Sequence, residues 1–352
     1  MARSKAWLVF AVLALCAAAM AGQKRDLPPG PAFDSSVVAL PDVGQVKPID
    51  KKSDLPIKIA VIGMENNPFW IPVKEGALDA KAELAPLNCT VDWIVPAGDA
   101  HTSDFFGNTI EACIAQRYDA IATVAGDSGL VPYINRAVDA GIPVATFNVE
   151  TTEPNKRLFF VGADLNLQGR EAGKVMAGLI GGKGKVAVQT GFFSVEGHEQ
   201  RRLGFEEALA EFAPGSEIVG RMETRDQADI AYGQAQDFML AHPDLAGIFS
   251  AAGGSFGMAR AVEERGKAGQ IKIVCYDFMD EVMEYVAKGV ITGTIGQGPY
   301  AQGHDPAIRL YNYIVGGVVP PAARLFNDMP FVTRDDYLDW WTPPADWTPP
   351  AK

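Results

Sequence analysis

Ile57-Lys58-Ile59-Ala60-Val61-Ile62-Gly63-Met64-Glu65-Asn66-Asn67-Pro68-Phe69-Trp70 is the stretch that decides the fold of this chain. Its opening is apolar and β-branched almost without interruption, which reads as a strand buried on both faces. Asn66-Asn67-Pro68 breaks that run, and Pro72 with Lys74-Glu75-Gly76 opens a helical pattern. Strand, short turn and helix in this order form the first half of a βαβ unit.

The unit repeats on both sides of a pause. Strands are expected at 57–63, 90–95, 120–124, 144–147, 185–190, 217–222, 247–250 and 271–276. Helical patterns are expected between them, at 73–84, 105–116, 130–140, 168–180, 200–212, 231–241, 256–264 and 280–288. The alternation halts over 150–164, where Pro154 and several charges intervene, and then resumes. The fold class is therefore α/β, with two lobes of parallel sheet and a cleft between the carboxyl ends of their strands, where open α/β folds bind ligands.

Composition agrees with two lobes and narrows the partners. A chain of 352 residues with 48% hydrophobic content can bury a sizeable core and exceeds one typical domain. The net charge of -12 argues against nucleic acid, which needs clustered Lys and Arg. Arg3 and Lys5 precede the apolar run 6–19, which ends in Ala19-Met20-Ala21, so residues 1–21 read as a signal peptide. A lipid anchor on Cys16 is the alternative, although Leu15 stands where a small residue is wanted. Residues 22–56, rich in Pro, Asp, Ser and Lys, read as a flexible tether, and 343–352 as a Pro-rich tail that packs or trails on the surface. Cys275 reads as a core thiol, while Cys89 and Cys113 could reach each other as a disulfide. There is no CxxC or Cys/His cluster, and no metal or cofactor is expected.

From 57 to about 332 the sequence resembles the ribose- and galactose-type periplasmic binding proteins, the type I sugar-binding family. Asn66-Asn67-Pro68-Phe69-Trp70 carries the resemblance, followed in order by Gly141-Ile142-Pro143-Val144, Arg201-Arg202-Leu203-Gly204-Phe205, Ala241-His242-Pro243-Asp244, Cys275-Tyr276-Asp277 and Thr294-Ile295-Gly296-Gln297. The resemblance implies two Rossmann-like lobes joined by a three-segment hinge that crosses near Ala163, Gln297 and Phe326. The lobes would then comprise 57–163 with 298–326, and 164–297 with 327–342. It further implies a monomer in the periplasm that captures a monosaccharide or similar polyol and hands it to an ABC permease and its ATPase. Delivery of an autoinducer or cyclitol to a membrane receptor is the alternative.

Carried over residue by residue, Asn67, Phe69 and Trp70 would wall the sugar in the first lobe, because a pyranose has apolar C–H faces. Two core aromatics at a helix start is the plainer reading. Asn148 stands where the family often has Asp followed by Arg, and here Val149 follows, so ribose itself is in doubt; a left-handed turn residue is the alternative. In the second lobe Arg201 could hold two sugar oxygens in its planar fork, whereas Arg202 reads as a solvated charge. Tyr276 and Asp277 end a strand, and the carboxylate can accept two hydroxyl hydrogen bonds. Gln297 sits at the hinge, and Asp226 either faces the cleft or caps the next helix. Gly253, in Ala251-Ala252-Gly253-Gly254-Ser255, replaces larger polar residues and leaves room for a different ligand.

The same loop raises a remote enzymatic reading. Gly253-Gly254-Ser255-Phe256-Gly257 satisfies G-x-S-x-G between a strand and a helix, with Asp277 or Asp280 and then His304 in suitable order. No HGGG-type oxyanion segment accompanies it. The expectation is a binding protein without catalytic residues.

Overall fold

The computed structural model describes residues 38–39, 44–98 and 102–348. Strand β2 (Ile57–Ile62) buries Ile59, Ala60, Val61 and Ile62 completely. A strand without a wet face must be covered on both sides, which is the condition under which parallel sheets form. It lies between β3 (Cys89–Ile94) and β4 (Ala120–Thr123), both parallel to it. β5 (Val144–Asn148), β6 (Phe159–Gly162), β12 (Arg324–Phe326) and β1 (Val38–Ala39) complete a parallel sheet in the order β1-β12-β6-β5-β4-β2-β3.

A second sheet has the order β13-β11-β10-β9-β7-β8. It is built from β7 (Lys183–Thr190), β8 (Gly215–Glu223), β9 (Leu245–Ser250), β10 (Lys272–Tyr276), β11 (Gly293–Ile295) and β13 (Phe331–Val332). The last strand runs antiparallel to β11, and the other pairs are parallel. Helices α1 (Trp70–Leu84), α2 (Ser103–Ala115), α3 (Val131–Asp139) and α9 (Pro299–Gly316) belong to the first lobe. Helices α4 (Leu165–Leu179), α5 (Glu196–Phe212), α6 (Ala228–Ala241), α7 (Ser255–Glu264) and α8 (Asp280–Ala287) belong to the second. The chain passes between lobes three times, from β6 to α4, from β11 to α9, and from β12 to β13.

Helices pack backbone to backbone in both lobes, including α6 on α7, where a Cβ at Gly257 would collide with Ala228 O. A Cβ at Gly76 would collide with Tyr300 O and one at Gly303 with Val73 O, so α1 and α9 touch backbone to backbone. In the second lobe Gly169 meets Arg201 O and Gly204 meets Asn166 O, which brings α4 and α5 equally close. These contacts set the spacing of α1 and α5, which lead Trp70 and Arg201 into the cleft.

Besides adding the strands β1, β11, β12 and β13, the structure departs from the sequence reading at three places. The pause at 150–164 contains β6, a four-residue strand buried throughout. Helix α9 was not expected, because Pro306 lies within it and Gly303 interrupts its pattern; near-complete burial of its residues holds it despite the lost backbone donor. The third departure concerns the tether. From residue 44 it packs on the first lobe: Gly44 N donates to Asp305 Oδ2 at 2.8 Å, Ile49 N to Asn312 Oδ1 at 2.9 Å, and Val46 is buried. The signal peptide at 1–21, Cys16, and most of 22–43 lie outside the described residues, as do 349–352 of the tail. The rest of the tail packs on the second lobe, where Trp341 Nε1 donates to Asp280 Oδ1 at 2.6 Å and the Trp347 ring stands edge-on to Trp341. Cys89, Cys113 and Cys275 are buried and form no disulfide, so the first two do not bridge. No described helix is long and apolar enough to cross a membrane.

Candidate functional site

The carboxyl ends of both sheets face a cavity of about 190 Å³ between the lobes. That is below the range of roughly 300–1,000 Å³ usual for drug-sized ligands, so it suits a single small ring. On the first-lobe side the turn after β2 delivers Asn67, Phe69 and Trp70 to the wall. Asn67 Oδ1 accepts from Phe69 N at 3.0 Å, which tightens the turn ahead of α1. The two aromatic rings meet edge to face, with centroids 5.4 Å apart at 85°, and both line the cavity. Both are also largely buried, so the two readings of this pair hold together: core aromatics that also line the cleft.

Asn148 ends β5 with φ 68°, Asp277 follows β10 with φ 76°, and Asp226 follows β8 with φ 57°. All three line the cavity from the left-handed region, which Asn and Asp tolerate better than other non-glycine residues. The sharp turn lifts each side chain off the strand end into the cleft. Asp226 Oδ1 accepts from Gly253 N at 2.9 Å, which ties the Gly-rich loop after β9 to this wall.

Arg201 and Asp277 are the charged pair of the second lobe, 5% and 9% exposed. The Arg201 fork is fixed by three bonds, from Nε to Gln168 Oε1 at 2.9 Å, from Nη1 to Ala251 O at 3.3 Å and from Nη2 to Gln297 Oε1 at 2.8 Å. Gln297 Nε2 in turn donates to Asp277 Oδ1 at 2.6 Å. Charge therefore runs from guanidinium to carboxylate through one amide, and every buried charge has partners, as burial demands. Burial pushes the Asp277 carboxyl above its ordinary range, against the pull of Arg201 and Gln297. Burial likewise lowers Arg201, which stays cationic.

Nine of the ten residues expected in the site line this cavity: Asn67, Phe69, Trp70, Asn148, Arg201, Asp226, Gly253, Asp277 and Gln297. Tyr276 does not. Strand alternation turns it away from Asp277 into the core, where its ring lies beneath the Arg201 guanidinium and against Phe249. His198 was missed. It lines the cavity one helical turn before Arg201, and that i, i+3 spacing on α5 was the available signal. Its Nδ1 accepts from Phe192 N at 3.1 Å, and burial beside Arg201 lowers its pKa to about 3, so the ring is neutral. Val149, Leu165, Phe256 and Met279 add apolar lining that the sequence did not single out.

Ser255 is no nucleophile elbow. It is 1% exposed and outside the cavity lining, and His304 lies in the first lobe, stacked on Tyr300 with Nδ1 2.8 Å from Asp305 Oδ1. Among the described residues no His, Cys, Asp and Glu group could hold a metal ion.

Residues 58–317 match the sequence profile of the periplasmic binding protein domain. The chain belongs to that family. This bears out the resemblance drawn from the Asn-Asn-Pro-Phe-Trp turn, and with it the α/β two-sheet fold. The chain is 25% identical over 292 residues to a xylose/arabinose-binding protein of Sulfolobus acidocaldarius, covering 77% of this chain and 69% of that one. It is 28% identical over 195 residues to a D-ribose/D-allose-binding protein of Pseudomonas aeruginosa, covering 53% and 60%. Among solved structures, an ABC transporter solute-binding protein of Agrobacterium vitis bound with α-D-tagatopyranose superposes with a TM-score of 0.72 at 27% identity, over 81% of this chain and 97% of that one.

Proposed function

We propose that the protein captures one monosaccharide or similar small polyol between its lobes and delivers it to an ABC permease and its ATPase. The observation that carries this reading is the set Arg201, Gln297 and Asp277, hydrogen-bonded in the second lobe and sharing one small cavity with Phe69 and Trp70 of the first. Rings of that kind suit the apolar C–H faces of a sugar, and carboxylates and amides suit its hydroxyls. The relatives named for xylose, arabinose, ribose and allose, and the tagatopyranose-bound neighbour, support the same ligand class. Asp226, Asp277 and the Asn148 oxygen supply acceptors for hydroxyl groups.

In this reading the lobes 57–163 with 298–326 and 164–297 with 327–342 close on the ligand about the three crossings. A ligand favours closure only through contacts missing in the open form, which is why both lobes contribute side chains. The signal peptide 1–21 would place the mature monomer in the periplasm, and no step requires covalent chemistry.

The test is a thermal-shift screen of the mature protein against pentoses, hexoses, deoxysugars and inositols, followed by calorimetry. We expect a selective ligand with a Kd of about 1 μM or tighter, worth about 8 kcal/mol. Asp277→Ala should abolish binding with an unchanged circular dichroism spectrum. A panel in which no sugar or polyol raises the melting temperature would sink this reading.

A further inference from the structure

Gln302 lies in α9, fully buried and outside the cavity lining. Its Nε2 donates to Gln297 O at 2.7 Å, and its Oε1 accepts from Asn148 Nδ2 at 3.0 Å. A main-chain carbonyl can only accept, so the Gln297 carbonyl decides which end of the Gln302 amide faces it. The other end, an oxygen, then faces Asn148 and can only accept in turn. Asn148 must therefore turn its NH2 toward Gln302. Its Oδ1, which takes part in no hydrogen bond among the described residues, is left for whatever occupies the cleft. Were the Asn148 amide reversed, two oxygens would face each other at hydrogen-bond distance, with that of Gln302 fully buried.

Asn327 locks the far end of this chain of bonds. Its Nδ2 donates to the same Gln297 carbonyl at 2.7 Å, so that carbonyl has both lone pairs occupied. The Gln297 side chain is equally committed, since Arg201 can only donate to it and Asp277 accepts from it. An oriented line of amides thus runs from the hinge to the first-lobe wall of the cleft.

We propose that Gln302 is a positioning residue that fixes Asn148 with its oxygen toward the ligand, so that this subsite demands a hydrogen-bond donor and rejects a group that can only accept. The proposal rests on the sugar-binding reading above and goes beyond it by assigning polarity to one subsite. A hydroxyl satisfies the subsite; a fluorine or an ether oxygen at the same ring position does not.

The experiment uses D-ribose, D-allose, D-xylose and their monofluoro-deoxy analogues, titrated by calorimetry into the wild-type protein, Gln302→Met and Gln302→Glu. Met keeps the volume and removes both hydrogen bonds, while Glu, protonated in this buried position against a carbonyl oxygen, keeps both a hydroxyl donor to Gln297 O and an acceptor beside Asn148. In the wild type, fluorination at one ring position should weaken binding by about tenfold or more relative to the parent sugar. In Gln302→Met that ratio should fall toward one, because the freed Asn148 amide can turn its NH2 to the fluorine. A general packing defect would instead weaken parent and analogue alike. Gln302→Glu should keep the ratio, which makes it the conservative rescue and a second readout if the Met variant does not fold. An unchanged ratio in Gln302→Met, or its loss in Gln302→Glu, overturns the proposal.

A ligand-free arm separates this outcome from failure of the sugar reading. The Asn148 side-chain amide protons, assigned by their loss in Asn148→Ser, should exchange slowly with solvent in the wild type and at least about tenfold faster in Gln302→Met, as for a donor released from a buried hydrogen bond. Silence of every sugar in the calorimeter would end the sugar reading alone; equal exchange in the two proteins would end the relay.

Discussion

The Arg201 guanidinium stands 4.1 Å over the ring of Tyr276, whose hydroxyl is buried without a hydrogen-bond partner among the described residues. The ring supports the cation from below by its π face while the fork is held in plane by Gln168, Ala251 and Gln297. The face of the ring does this work and the hydroxyl does not. Tyr276→Phe is therefore expected to keep ligand affinity within about twofold and to leave stability unchanged or raise it by about 1 kcal/mol, since it removes an unsatisfied buried polar atom. Tyr276→Leu, which removes the π face, should weaken binding. Urea unfolding and calorimetry on the two variants check both statements.

Asp277 makes binding depend on pH. Burial holds its folded-state pKa above the ordinary 3.8, so the free folded protein keeps this proton longer than the unfolded chain does. The stability it contributes is complete below 3.8 and is lost as pH rises through the folded-state value. Sugar hydroxyls donating to the carboxylate favour its charged form, so ligand binding should release a fraction of a proton in that window. Affinity should rise with pH there and flatten above it. Calorimetry in buffers of different ionisation enthalpy measures the proton count directly, and Asp277→Asn should bring it to zero.

His198 acts on stability in the opposite sense. Its pKa is depressed from 6.5 to about 3 by burial and by Arg201, so the folded state resists a proton that the unfolded chain accepts. The stability it contributes is present above 6.5 and drains as pH falls toward 3, by at most about 1.4 kcal/mol per pH unit for one proton. His198→Gln cannot titrate. Its unfolding free energy, followed by urea titration from pH 7 to pH 4, should decline less steeply than that of the wild type.

These two residues mark where the sequence was legible. Asp277 ends an apolar strand, and a polar residue in that position of an α/β fold points into the cleft; the same logic located Asn148 and the turn before Trp70. Tyr276 was misplaced because strand alternation sends neighbours to opposite sides, so a residue adjacent to Asp277 lands in the core. His198 left only the weak signal of helical spacing from Arg201. Helix α9 was invisible because Pro306 and Gly303 contradict local propensity, and what holds it is contact with α1 and the first sheet, which no local window contains. Gln302 lies on that helix, so the amide relay was out of reach for the same reason.

The helix pairs give a stability prediction in which one substitution type has two signs. Gly233, inside α6, has open space where a Cβ would stand, so Gly233→Ala should stabilise by roughly 0.5–1 kcal/mol through the lost backbone freedom of the unfolded chain. Gly303 has the carbonyl of Val73 there, and main chain cannot step aside as the end of a flexible side chain can. Gly303→Ala must push α9 away from α1, an overpacking cost of about 1–3 kcal/mol or more. Because α9 carries Gln302 and leads away from the Gln297 crossing, the same shift should also weaken ligand binding, whereas Gly233→Ala should leave it untouched. Thermal melts with and without ligand distinguish the two; a Gly303→Ala protein as stable as the wild type would mean that α1 and α9 are not in backbone contact.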